Sequence, residues 1–255
     1  MVVNKNLSKK IKRMGLTPNQ ERLQAILEYK KYNIIKRTEL LELIKKQNLS
    51  KNPEYLIKSM LNKKRIIPLK RGVYTIVPIS SIEKTPLIDE LEIVKNLIED
   101  TYYIGLFNAY NHHGFTEQIP NKLFIFNTKY SADKKILNYQ IKFFKVKSKN
   151  IFGIEESSLY SDKERTIIDA LNYPEYLGGL KQVLNQIKKI SFNEKNLIDY
   201  AIIYDSNKVI KLVGLLTNSN NLFNLLKRKK ALNYYTTIKN TGTKLLDKKW
   251  KLRLI

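Results

Sequence analysis

The sequence predicts an α+β fold in two parts: a small helical unit closed by a hairpin, and a larger mixed α/β domain. Three observations predict it. Residues 17–63 carry three short apolar stripes at helical spacing, each behind a capping signal, and two strand-like segments around Gly72 follow them. Residues 102–146 hold runs rich in aromatic and β-branched residues, and residues 162–229 turn helical, so strands precede helices rather than alternating with them. Between the two parts, 77–86 holds two prolines, two serines and little apolar content, as a linker does. The parts are therefore read as residues 1–78 and 86–255.

In the first part, Thr17 caps a helix that has Pro18 at its first position and Gln20 completing a capping box. Leu23, Ile26 and Leu27 form its apolar face, and Asn33-Ile34-Ile35 ends it. Thr38 is read as the cap of a second helix with core residues Leu40, Leu41, Leu43 and Ile44, and Gln47-Asn48-Leu49-Ser50 as the turn after it. Asn52 and Pro53 open a third helix whose buried stripe is Leu56, Ile57, Met60 and Leu61. Its opposite face carries Glu54, Tyr55, Lys58, Ser59, Asn62 and Lys63. Ile66–Leu69 and Val73–Ile76 read as strands around Lys70-Arg71-Gly72, where the glycine supplies the positive φ of a tight hairpin. Three helices and a basic-tipped hairpin, in this order, describe an N-terminal winged helix-turn-helix.

The second part is read as opening on an amphipathic helix with Leu87, Leu91, Val94 and Ile98 on one face. A short strand at 102–105, a helix through Tyr110 ending at Gly114, and strands at Lys122–Asn127 and Tyr139–Val146 follow. Helices are expected at Asp162–Leu171, Leu177–Lys189, Glu194–Tyr204, Asn207–Leu216 and Leu222–Lys229, with a closing strand from Trp250 to Ile255.

Charge narrows the function. The chain has 47 Lys and Arg against 23 Asp and Glu, a net +24. Codon bias toward Lys and Asn would also supply Glu, so it does not account for a twofold excess of base. Residues 1–78 alone hold 19 basic and 5 acidic residues, a net +14, which is the footprint expected for a polyanion partner. Double-stranded DNA is the first candidate. A membrane surface is disfavoured, because no basic amphipathic helix carries Trp or Phe on its apolar face. The expected DNA-contacting residues are Lys36, Arg37 and Thr38, then Asn52, Tyr55, Lys58, Ser59, Asn62 and Lys63 on the third helix, and Lys70 and Arg71 on the hairpin. The basic N-terminus (Lys5, Lys9, Lys10, Lys12, Arg13) precedes no apolar signal core, no stretch is apolar enough for a membrane span, and cysteine is absent. A cytoplasmic protein is expected.

Candidate chemistry is sparse. His112 and His113 are the two histidines. Adjacent helical side chains diverge by about 100°, so ordinary packing or surface roles are expected rather than a shared metal. Asp162, Glu164, Arg165 and Asp169 lie on one helix, where Arg165 can pair with Asp162 and Asp169. That cluster suits an ion-pair lock; the alternative is an acid cluster for metal-dependent phosphodiester cleavage, which lacks its usual strand-borne acid-plus-lysine motif. There is no phosphate loop, dinucleotide fingerprint, nucleophile elbow or nucleotidyltransferase signature. No cofactor and no enzymatic activity are expected.

Several segments together resemble the AbiEi family, antitoxins of type IV toxin–antitoxin (abortive infection) systems. They are Leu69 to Tyr74 (LKRGVY), Tyr102 to Pro120 (YYIGLFNAYNHHGFTEQIP), Asp162 to Leu171 (DKERTIIDAL) with Gly178-Gly179, Val213 to Leu216 (VGLL) and Lys249 to Leu252 (KWKL). They stand in the family's order along almost the whole chain. The sequence departs from the family at Asn111-His112-His113, where a small residue usually precedes the histidine. The resemblance implies a winged helix on operator DNA near its own promoter and a second domain that counteracts a nucleotidyltransferase-like toxin. A DNA-targeted nuclease and a stand-alone regulator remain the alternatives.

Overall fold

The computed structural model describes residues 15–81, 88–99, 101–239 and 244–255. They form two compact units, Met1–Glu99 and Asp100–Ile255. The basic cluster from Lys5 to Arg13 and residues 82–87 of the expected linker lie outside the described residues.

The first unit runs α1 (Pro18–Tyr29), β1 (Ile34–Lys36), α2 (Arg37–Lys46), α3 (Pro53–Asn62), β2 (Ile66–Lys70), β3 (Val73–Ile76) and α4 (Glu90–Leu97). Gln20 Oε1 accepts the Thr17 N–H at 2.8 Å, as the capping box requires. Leu23, Leu27, Leu40, Ile44, Leu56, Met60, Ile66 and Ile76 form one buried cluster, so the three helical stripes and the hairpin share a core. The sheet order is β1-β3-β2, antiparallel throughout. Strand β1 is a finding: the Ile34-Ile35 helix end is itself hydrogen-bonded to β3. It also displaces the expected cap of α2. The cap is Lys36, and Thr38 lies inside the helix, because the strand delivers the chain directly into Arg37, whose N–H donates to Gly72 O at 2.8 Å. Gly72 has φ +76° in the two-residue turn between Lys70 and Val73.

Helix α4 is a second correction. It belongs to the first unit and does not open the second. Asp89 Oδ1 caps it through the Leu91 N–H at 3.0 Å, Asn33 Nδ2 donates to Glu92 Oε2 at 3.0 Å, and Ile93 and Val94 are buried.

The second unit is a sheet of order β4-β5-β7-β6 followed by helices, a mixed arrangement in which β5 and β7 are parallel. Its strands are β4 (Tyr102–Ile104), β5 (Lys122–Asn127), β6 (Ala132–Ile136) and β7 (Tyr139–Lys145), with α5 (Leu106–His112) after β4. Helices α6 (Lys163–Asn172), α7 (Leu180–Ile187), α8 (Glu194–Tyr204), α9 (Asn207–Thr217) and α10 (Asn220–Arg228) follow. A small sheet of order β8-β10-β9 ends the unit: β8 (Thr236–Ile238), β9 (Leu245–Asp247) and β10 (Leu252–Leu254). Tyr103, Phe126 and Phe144 stack in series, with centroids 4.7 and 4.8 Å apart, and α6 is buried on nearly every face against them. Two pairs of the resemblance-carrying segments meet in this unit, Tyr103 bonding Asp169 and Trp250 covering Gly214. Gly214 of α9 lies under Trp250, where an added Cβ would fall 2.3 Å from the indole ring.

Candidate nucleic-acid interface

Helix α3 follows α2 through a turn in which Asn48 takes φ +51° and Leu49 is buried. The Asn52 side chain caps α3 by accepting the Tyr55 N–H at 3.1 Å, and Pro53 needs no partner for an N–H it lacks. With Leu56, Ile57 and Met60 turned into the core, Tyr55, Lys58 and Asn62 fall on one exposed stripe at i, i+3 and i+7. Tyr55 is 70% exposed, so its ring and hydroxyl stand clear of the unit's core. Two expected members of this face are spent elsewhere. Ser59 Oγ accepts Gln20 Nε2, and Lys63 Nζ donates to Gln20 Oε1 at 2.7 Å and to Gly15 O, so both fasten α3 to α1.

A second group surrounds the hairpin. Lys36, Arg37, Thr38, Lys70, Arg71 and Gly72 line an open depression of about 700 Å³ in which Glu99 is the one acid among the described residues. Lys36, Thr38 and Arg71 are exposed. Arg37 reaches Glu54 in the first turn of α3 at 2.7 Å, which links the depression to the α3 stripe. Lys70 was expected at the free tip, but it ends β2 and its ammonium pairs with Glu99 at 3.0 Å, because α4 brings the chain back past the strand. Among the described residues, Arg71 is therefore the exposed cation left at the tip.

In the second unit, Arg165 and Asp169 are fully buried and joined, Nη2 to Oδ1 at 3.0 Å and Nε to Oδ2 at 3.3 Å. Arg165 Nη2 also donates to Tyr103 Oη at 2.5 Å, and that hydroxyl donates to Asp169 Oδ2 at 3.0 Å. The guanidinium lies over the rings of Phe152, Tyr204 and Tyr103, 4.5 to 5.1 Å from their centroids. Burial outweighs the guanidinium and pushes the Asp169 carboxyl up to about 6. Asp162 departs from the expected pairing. It caps α6 by accepting the Arg165 N–H at 2.8 Å and accepts a hydrogen bond from the Tyr200 hydroxyl at 2.7 Å, so its carboxylate serves backbone and phenol rather than the guanidinium.

The structure also joins residues that the sequence kept apart. His112 Nε2 lies 2.9 Å from Glu155 Oε2, and His113 Nδ1 lies 3.9 Å from Glu155 Oε1. No ligand-like spacing in the chain announced Glu155; the loop carrying it reaches the histidines only through the pairing of Ile104 with Tyr160.

The sequence matches no protein-family profile and no curated protein. The fold has a solved counterpart. The crystal structure of the RV2827C protein from Mycobacterium tuberculosis superposes with a TM-score of 0.70, covering 94% of this chain and 92% of that one at 9% identity. At that identity the likeness speaks to the fold. Among the described residues, no helix is long and apolar enough to cross a membrane.

Proposed function

We propose that this protein is a transcriptional regulator that binds double-stranded DNA through the winged helix of residues 15–76. The observation that carries the reading is the stripe Tyr55, Lys58 and Asn62 on the helix that such folds lay in the major groove, beside a depression bearing Lys36, Arg37, Thr38 and Arg71. The stripe offers a hydrogen-bonding amide and an aromatic hydroxyl to base edges, while Lys58 and the hairpin cation suit phosphates. The net +14 of residues 1–78 favours the same partner.

The resemblance to AbiEi antitoxins supports a finer reading, in which the regulator represses its own promoter and the second unit counteracts a nucleotidyltransferase-like toxin without enzymatic chemistry of its own. A gel-shift with DNA from upstream of the gene, against random competitor of equal length, tests the first claim. Retention of the upstream fragment at a tenfold excess of competitor is the expected result, and equal loss of both would reduce the protein to a nonspecific DNA binder. Labelled DNA with divalent metal must be shifted and not shortened; shortening would favour a nuclease. Growth rescue on co-expression with the toxin encoded beside it tests the finer claim.

A further inference from the structure

We propose that His112, His113 and Glu155 form a binding site for one divalent first-row transition-metal ion, with Zn2+ as its probe. Two imidazoles and a carboxylate are a ligand set such ions take. Each residue offers one donor atom, and the three atoms lie within 4.8 Å of one another. Metal bonds of about 2.0–2.1 Å in a tetrahedron place donor atoms roughly 3.4 Å apart. His112 Nε2 stands 2.9 Å from Glu155 Oε2 and His113 Nδ1 3.9 Å from Glu155 Oε1, so rotations of the carboxylate and the rings bring one oxygen and both nitrogens to that spacing.

Adjacent histidines converge here because α5 ends between them. His112 is its last residue and His113 leaves helical geometry at φ −85°, ψ 2°, which brings the ring centroids to 5.1 Å. One loop then orients all three groups. Ile154 pairs with Ser161, and between them Glu155 supplies the carboxylate, Ser158 Oγ donates to it at 2.7 Å, and Tyr160 stacks on the His112 ring at 4.2 Å. Ser161 O lies 2.7 Å from His113 Nε2. A carbonyl only accepts, so Nε2 carries a proton, and Nδ1, on the side of Glu155, is the ring nitrogen left for a metal. This outer contact is the one that metal-bound imidazoles use.

A plain His–Glu pair would need His112 alone. The nearly buried His113, 5% exposed at the side chain and held by Ser161 O, adds a second ring nitrogen facing the same carboxylate from beyond hydrogen-bond distance. His112 and Glu155 are 35% and 34% exposed, so the ion would keep a position open to water.

The test uses the full, untagged chain, stripped of metal and without DNA, so its failure leaves the DNA-binding reading standing. Zn2+ titration should give one equivalent bound and, at a hundredfold excess over Kd, a rise in Tm of roughly 5–10 °C. Co2+ should give visible bands from the same site. His112→Ala and Glu155→Gln should each weaken binding by at least about tenfold and abolish those bands. A wild-type chain that binds no ion overturns the proposal, and so does binding that survives unchanged in both variants. Glu155→Gln keeps the shape of the loop, and comparing ion-free Tm values separates lost ligation from lost folding.

Discussion

Tyr55, Lys58 and Arg71 bring different chemistry to one surface, and their variants should separate accordingly. Arg71→Ala and Lys58→Ala should weaken operator and random DNA by similar factors, each reducing the salt slope of log K by roughly 1. Asn62→Ala and Tyr55→Ala should instead lower the discrimination between the two DNAs, by about 1–3 kcal/mol for each base edge that is no longer read. Competition gel-shifts at several salt concentrations read both quantities, and a wing variant that changed sequence preference would reverse the assignment. Arg165 calls for a different readout. Arg165→Met should strand a buried carboxylate and cost about 3–5 kcal/mol at pH 8. Asp169 already titrates near 6 in the folded chain, above its ordinary 3.8, so the folded state takes up its proton first and gains stability relative to the unfolded chain as pH falls through that value. Without the guanidinium its value rises further. The stability gap between wild type and Arg165→Met should therefore narrow as pH falls from 8 to 6, as urea unfolding at each pH would show. Much at this scale was legible: the Asn52 cap, Gly72, the Arg165–Asp169 spacing. What escaped depended on distant partners. Ser59 and Lys63 read as outward residues until Gln20 of another helix claimed them, and Glu155 carried no local signal.

Single elements were legible where a period ran long enough to declare itself. The ten residues of α3 and the six of β5 did so; the three residues of β1 did not, since Ile34-Ile35-Lys36 has too little length for any alternation and gains its identity from β3. Strand β6 (ADKKI) was missed for another reason: it is a charged edge strand, exposed over most of its length. Two glycine substitutions probe element junctions. At Gly72 the surroundings are open, Arg37 Cβ being 4.0 Å from an added Cβ, so the cost of Gly72→Val arises from φ +76° alone. A loss of at least about 1–2 kcal/mol, with DNA affinity falling alongside, is expected from thermal melts and gel-shifts. Gly214→Ala fails by the opposite route, its backbone being ordinary and its space filled by Trp250. About 1–3 kcal/mol of destabilisation should appear in the second unit, and unchanged melting would mean that the indole has room to withdraw.

The whole molecule divides near residue 99, and its basic residues are densest in residues 1–78 of the first unit, at a net +14. If a bound chain neutralises about 5 phosphates, log K should fall with log salt at a slope of about −4 to −5, and a flat dependence would remove the electrostatic case. A fragment of residues 1–99 should melt at a higher temperature than one of residues 1–80, because α4 buries Ile93 and Val94 and holds Asn33; equal melting would return α4 to the second unit. The sequence placed this boundary too early because proline and serine mark where a chain is irregular, whereas a unit ends where packing ends. The two units also finish at different moments of synthesis. The core of the first is built from residues between Leu16 and Ile76. The second keeps an open flank until its last strand arrives: Trp250 covers Gly214, and Lys211, buried in α9, has hydrogen-bond partners at Tyr234 O, Thr236 Oγ1 and Lys251 O. As the chain leaves the ribosome from its N-terminal end, the winged helix can fold while the rest is still being made. A message cut short before codon 250 would then release a folded first unit on an unclosed body, which under the proposed function would compete for the operator without whatever the second unit contributes.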